Sequence, residues 1–245
     1  MTPSMRVKAI GLLLFGVLIL AANSCSRSPQ RPAIAAQIAK TYGLDSFDQI
    51  DALRYTFNAQ FPGVSLARSW EWQPKTGQVS YEGKDKDGKP VKATYVRSQL
   101  DSQAAYVKED VDPGFVNDQY WLLFALHVYW DTSADVQDKG TQPLPLGGGS
   151  AKLVSVKYPS DGGYTPGDTW DLYLGNDSRV AQLFYHRGGS KKPSAVIATW
   201  EGYKNAGPLL ISTEHRGTAD GQPLRIFFSN VAAKLKGSDT WVDAK

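Results

Sequence analysis

The stretch LRYTFNAQF, Leu53 to Phe61, decides how the chain is read. Leu53, Tyr55, Phe57, Ala59 and Phe61 alternate with Arg54, Thr56, Asn58 and Gln60. Successive side chains of an extended chain point to opposite sides, so this period of two predicts a strand with one apolar and one polar face. Pro62-Gly63 turns the chain, and Val64, Leu66, Trp70 and Trp72 then alternate with Ser65, Ala67, Ser69 and Glu71. Pro74 to Gly77 makes a second turn, Val79 to Tyr81 returns, and the polar tip Lys84 to Lys89 leads into a strand from Val91 to Arg97. Sequential hairpins of this kind predict an antiparallel meander.

Working outward, the period changes twice. Ile34, Ile38 and Tyr42 stand four apart among alanines, which predicts an amphipathic helix over 33–42 stopped by Gly43. Ser46 and Gln49 have capping-box spacing for a further helical turn. Residues 115–130 (FVNDQYWLLFALHVYW) are apolar nearly all round from Tyr120 to Trp130 and too long for an ordinary strand, so a buried helix is expected there. Gln142 to Ser150 (QPLPLGGGS) reads as a loop. Strands are expected again at 152–158, 169–174, 180–187, 195–202, 209–215 and 224–231. The class is mainly β (α+β). A long antiparallel sheet must bury one face, and the economical form is a strongly curved sheet or half-open β-barrel of about ten strands, with two or three helices covering the concave face.

The first residues carry an address. Arg6 and Lys8 precede an uncharged run, Ala9 to Ala22, which has the length of a signal-peptide core and falls short of a membrane span of ~20 residues. Ala22-Asn23-Ser24-Cys25 resembles the lipobox of bacterial lipoproteins, although Leu is usual where Ala22 stands. The resemblance implies cleavage before Cys25 and a diacylglycerol on its sulfur. The alternative is an ordinary signal peptide that leaves Cys25 as a free thiol. Cys25 is the only cysteine, so no intramolecular disulfide is possible, and acylation would remove a thiol otherwise liable to oxidation. The expected organisation is a signal peptide at 1–24, a lipidated cysteine and tether at 25–32, and one β-rich domain at 33–245. Ser26, where an Asp would favour the inner membrane in enterobacteria, leans towards the outer membrane facing the periplasm.

The mature chain would hold 25 basic against 24 acidic residues, a charge of +1. That balance points to no nucleic acid. A monomer is expected, held to the membrane through its acyl anchor. No position-specific catalytic motif is present, so no catalytic residue is assigned and no enzymatic activity is expected. No cofactor and no metal site is expected either. His186 and His215 fall on strands separated by one other, ~9.5 Å apart, too far to share a zinc ion, and His127 reads as a core residue. Asp85-x-Asp87-Gly88 lacks the later ligands of a calcium loop and reads as a hairpin tip. Asp110 and Asp112 read as solvated carboxylates in a polar loop.

The order of elements, an N-terminal helix, early hairpins, a mid-chain helical plug and late hairpins over 33–235, resembles the outer-membrane lipoprotein carrier and receptor superfamily (the LolA/LolB fold). The Trp-x-Trp strand (Trp70, Trp72) and the segment Tyr120 to Phe124 also resemble a branch of bacterial lipoproteins. The resemblance carries over no functional residue. It implies a groove between sheet and helices for a hydrophobic or amphipathic ligand, a lipid or another acylated molecule, with movement of 115–130 opening and closing it. Candidate lining rings are Tyr55, Phe57, Trp70, Trp72, Trp121, Phe124 and Trp130; the same rings would equally serve as packed core. Leu144 and Leu146 are candidates for a membrane-contact loop, or would pack back on the sheet. The alternative function is a surface interaction module that presents an aromatic face to glycan or to a protein partner.

Overall fold

A computed structural model describes residues 31–85, 87–164, 166–188 and 194–245. The signal segment, Cys25 and the tether as far as Gln30 lie outside those residues. Helix α1 (Ala33–Thr41) comes first and buries Ala35, Ile38 and Ala39. Gly43 ends it at φ 97°, where a Cβ would stand 2.5 Å from the Pro208 carbonyl oxygen. A 3-10 turn (Leu44–Gln49) leads into β1 (Ile50–Phe61), β2 (Val64–Gln73), β3 (Gln78–Lys84) and β4 (Pro90–Val96). A second 3-10 turn (Arg97–Ser102) and a π-helical turn (Val107–Val111) run into α2 (Asp112–Trp130). The rest is strand: β5 (Asp135–Pro143), β6 (Ser150–Lys157), β7 (Thr169–Leu174), β8 (Val180–His186), β9 (Ala195–Thr199), β10 (Glu201–Ala206), β11 (Leu209–Ala219), β12 (Gln222–Leu235) and β13 (Trp241–Asp243).

All thirteen strands belong to one antiparallel sheet of order β4-β3-β2-β1-β12-β11-β9-β8-β7-β6-β5, with β10 paired to β11 and β13 to β12. The β4 and β5 edges stay unpaired, so the sheet does not close into a barrel. Two aromatic contacts reveal how far it curls. Phe115 on α2 packs against Trp70 of β2 at 5.5 Å, and Trp121, two turns on, packs against Trp170 of β7 at 5.4 Å. Those strands are six neighbours apart. In a flat sheet that would be ~29 Å, whereas six helical residues advance only ~9 Å. The sheet therefore wraps around α2, and the apolar circumference of that helix is the consequence: it has wall on nearly every side. Asn230, at φ 54°, sits at a register shift where β12 bends along β1.

Thirteen strands replace the expected ten or so for local reasons. β5 (DVQDKGTQP) buries only Val136, and a solvated edge strand has no apolar face to betray it. The expected strand 195–202 is interrupted at Trp200, whose amide still bonds β8 at the Ala181 carbonyl, and β9 and β10 pair with different halves of β11. β13 is a three-residue addition to β12.

Both ends of α2 are tied down. At its C-terminus the Arg31 guanidinium donates to the carbonyls of Val128 (2.7 Å), Tyr129 (2.9 Å) and Asp131 (2.7 Å), oxygens that a helix end otherwise leaves without a partner. At its N-terminus α2 continues directly from the π-helical turn, Val111 being still helical, and Pro113 stands just past that junction.

Candidate functional site: a cleft at the start of helix α2

β2 carries Leu66, Arg68 and Trp70 on successive inward positions. Trp70 stands opposite Tyr81 of β3, with ring centres 4.6 Å apart, and Val91 of β4 continues the surface. Residues 106–117 form the opposite wall through Tyr106, Val111, Pro113 and Gly114. The space between holds about 880 Å³. That lies within the ~300–1,000 Å³ of small-molecule sites. At Gly114 a Cβ would stand 3.5 Å from Arg68 Nη1 and 3.8 Å from Trp70 Cζ2, ordinary contact distances, so a longer side chain there would lie over both. Beyond Leu66 the inward face runs on to Phe61 and Val64, a directly paired couple 40% and 57% exposed at the β1–β2 tip.

Asp118 fixes the floor. It is fully buried and accepts from Arg68 Nε (2.7 Å) and Nη2, from Trp70 Nε1 (2.8 Å) and from Asn117 Nδ2 (3.0 Å). Burial pushes its carboxyl up and Arg68 pulls it back, the net direction being upward. A buried ion needs this degree of pairing to be tolerated. One edge of the Arg68 guanidinium, Nε and Nη2, is thereby consumed by Asp118.

Asp112, also fully buried, accepts from Tyr95 (2.8 Å), Arg97 Nε (2.9 Å) and Tyr164 (2.6 Å). Burial alone would raise this carboxyl; the bonds from Arg97, Tyr164 and Tyr95 outweigh it and hold it below the ordinary value. The sequence expectation of a solvated Asp112 is corrected here. Its place on the first turn of α2, facing the sheet, puts it against Arg97 at the end of β4. Asp131, just past the helix, receives the hydroxyls of Tyr120 (2.6 Å) and Tyr158 (2.7 Å) and lies 3.2 Å from His127 Nδ1. These buried pairs, with Arg31, hold α2 to its surroundings at both ends. The helix carries fourteen buried residues. Swinging 115–130 aside would strip these ions of their partners.

Of the seven expected lining rings, Trp70 alone borders the cleft. Tyr55 and Phe57 pack edge-on against Phe228, and Phe124 stacks on Trp170 at 4.2 Å. Trp121 is wedged between Trp170 and Trp200. Trp72 and Trp130 are half-buried on either side of Phe47. Among the described residues these seven rings form no exposed row. Leu144 and Leu146 lie in the β5–β6 hairpin turn, whose backbone is held by Gln182 at Leu146 N (2.9 Å) and Gly147 O (3.2 Å). Leu144 is half-buried, Leu146 is 41% exposed, and neither lines the cleft. Cys25 lies outside the described residues. The Asp85 turn is a hairpin tip, with Asp85 Oδ1 accepting the amides of Asp87 and Lys89 (both 2.9 Å). Among the described residues no group of three or more His, Cys, Asp or Glu is placed to hold a metal ion.

Sequence reasoning missed the Arg68–Asp118 pair, although a trace was there. Arg68 is the one charged residue in the inward series of β2, and Asp118 the one charged residue between Phe115 and Trp130. Two opposite charges on two apolar faces are each other's natural partner.

No protein-family model matches the sequence, and no curated protein matches it either. Among solved structures the chain is similar to a DUF1329 family protein from Desulfovibrio piger, at TM-score 0.46 and 11% identity over 84% of this chain and 94% of that one. It is also similar to the Mycobacterium tuberculosis lipoprotein LppX, at TM-score 0.32 and 11% identity over 87% and 100%. A third is a chain of the Pseudomonas aeruginosa MucA/MucB complex, at TM-score 0.23 and 11% identity over 83% and 93%. Likenesses of this depth carry no argument about function, which must come from the side chains.

Proposed function

We propose that this protein is an envelope lipoprotein, anchored through an acylated Cys25 on the periplasmic face of the outer membrane, that binds an amphipathic molecule in the cleft at the start of α2. The ligand class is a lipid or an acylated partner, and the mode is reversible binding rather than chemistry. The observation that carries this reading is the cleft itself: about 880 Å³ with an apolar floor of Leu66, Trp70, Tyr81 and Val91 and with Arg68 in its lining. The buried carboxylates beside it are sealed by their partners, which suits a rigid floor better than an acid–base pair. An alkyl tail laid on that floor would gain ~0.8 kcal/mol for each methylene removed from water. Arg31 grips the far end of α2, roughly 17 Å along the axis from Asn117, the last helix residue that lines the cleft. The chain that leads to Cys25 thus joins the domain at the end of the helix remote from the cleft.

The test fills the cleft from its wall. Purified protein should take up the neutral dye Nile red, and native mass spectrometry should show a bound lipid. Gly114→Leu, whose side chain would reach over Arg68 and Trp70, should abolish both while leaving the circular dichroism unchanged. Dye uptake that survives this substitution, or protein that neither carries nor takes up any amphiphile, refutes the proposal.

A further inference from the structure

β3 has a gap in its inward series. Val79 and Tyr81 are buried on that face, and the next position of the same face is Gly83. A Cβ at Gly83 would stand 2.6 Å from Tyr81 Cζ and 2.9 Å from Cε2, with the hydroxyl oxygen closer still. The ring therefore lies along the strand, over the Gly83 backbone, in the space that any side chain at 83 would take. A glycine inside a strand often marks such a close approach. The Gly83 backbone is not in the left-handed region that favours glycine, so it is the ring that needs a bare position there. The ring is held by its place more than by its bond: the hydroxyl donates to the Lys84 carbonyl at 3.3 Å, longer than the ~2.5–3.0 Å usual for such a donor. Across on β4 the partners are short, Ala93 opposite Tyr81 and Val91 opposite Gly83. Tyr81 and Val91 line the cleft, so its floor above β3 is a ring laid flat.

We infer that Gly83 and Tyr81 together set the length of tail that the cleft accepts. This rests on the cleft being the binding site. With no side chain at 83 the ring lies down and the cleft keeps its depth. With one, ring and side chain cannot share the same place, and the floor rises into the space where a tail would lie. The close atoms all belong to the far end of the Tyr81 side chain, so a substitution at 83 moves the ring and leaves the strand in place. Gly83 is covered by the ring and acts through it, which makes it a positioning residue for whatever the cleft holds.

A series of neutral monoacylglycerols reads tail length without charge: monocaprylin, monocaprin, monolaurin, monomyristin and monopalmitin, each below its micellar concentration, displacing Nile red. In the wild type the affinity should climb about fourfold for each added methylene until the tail fills the cleft, then level off. Gly83→Ala should follow the same line for short tails and level off at a shorter one, so that the longest tails lose about tenfold or more. Tyr81→Ala, which only removes atoms, should level off at a longer tail than the wild type, and adding Gly83→Ala to it should change the series little. Tyr81→Phe keeps the ring and loses the bond to Lys84, and should behave as the wild type. A Gly83→Ala series that superimposes on the wild type, or that falls equally at every length, overturns the inference and leaves the cleft reading standing. A Tyr81→Ala series no longer than the wild type's does the same. Failure of the wild type to bind any of the esters overturns the cleft reading itself.

Discussion

Replacing His215 by Phe should remove a pH dependence from the stability of the domain. His215 is fully buried on β11, its ring 4.0 Å from that of Trp200 and near those of Trp121 and Phe228. Nδ1 lies 3.3 Å from the Thr199 carbonyl, and Nε2 has no hydrogen-bond partner among the described residues. Burial drives its pKa from 6.5 to about 3, only weakly countered by the Thr199 bond. Between those values the unfolded chain binds a proton that the folded chain refuses, so stability falls as the pH falls. The slope is ~1.4 kcal/mol per pH unit. From pH 7 to pH 5 the wild type should lose about 2 kcal/mol through this residue alone. In His215→Phe that loss should vanish, whatever the substitution does to stability at pH 7. Urea unfolding at pH 7, 6 and 5, followed by tryptophan fluorescence, gives both lines. The other two histidines are common to both proteins and cancel in the difference. Parallel lines, equal within ~0.5 kcal/mol, would mean that His215 charges in the native state, and the burial argument would be wrong.

Two further predictions concern the scaffold. Arg31→Ala should cost about 2 kcal/mol, the scale of hydrogen bonds to a charged group, and should free the chain before α1 for proteolysis, read as earlier cleavage ahead of Pro32; a proteolysis pattern identical to wild type would refute the latch. Gly217→Ala places a Cβ 1.8 Å from the Ile197 carbonyl oxygen and 2.8 Å from Ala198 Cα, so β9 and β11 must part. A loss of about 3 kcal/mol or more in urea unfolding is expected, and a neutral result would contradict the close strand approach.

The parts of this fold that were legible share one property: their side chains report their surroundings at short range. β1 alternates because one face meets the core and the other meets water, and α2 lacks a polar face because the sheet curls around it. What was hidden is set by partners distant in sequence. β5 shows no alternation, since it borrows its place from β6 and buries one residue. The cleft was hidden for the same reason. It exists because β2, β3 and β4 extend past the first turn of α2, and no local pattern records where a helix stops covering a sheet. The aromatic rings drew attention because they are large, yet large rings are what a curled sheet needs to fill its own interior, and Tyr55, Phe57, Trp121 and Phe124 went there. The readable trace of the site was the pair of misplaced charges, Arg68 and Asp118. A charge on an apolar face must be paid for by a partner, and the pairing of these two fixes one side of the guanidinium. In a sheet of this kind the residue that breaks the pattern, more than the residues that make it, marks where the interior meets a ligand.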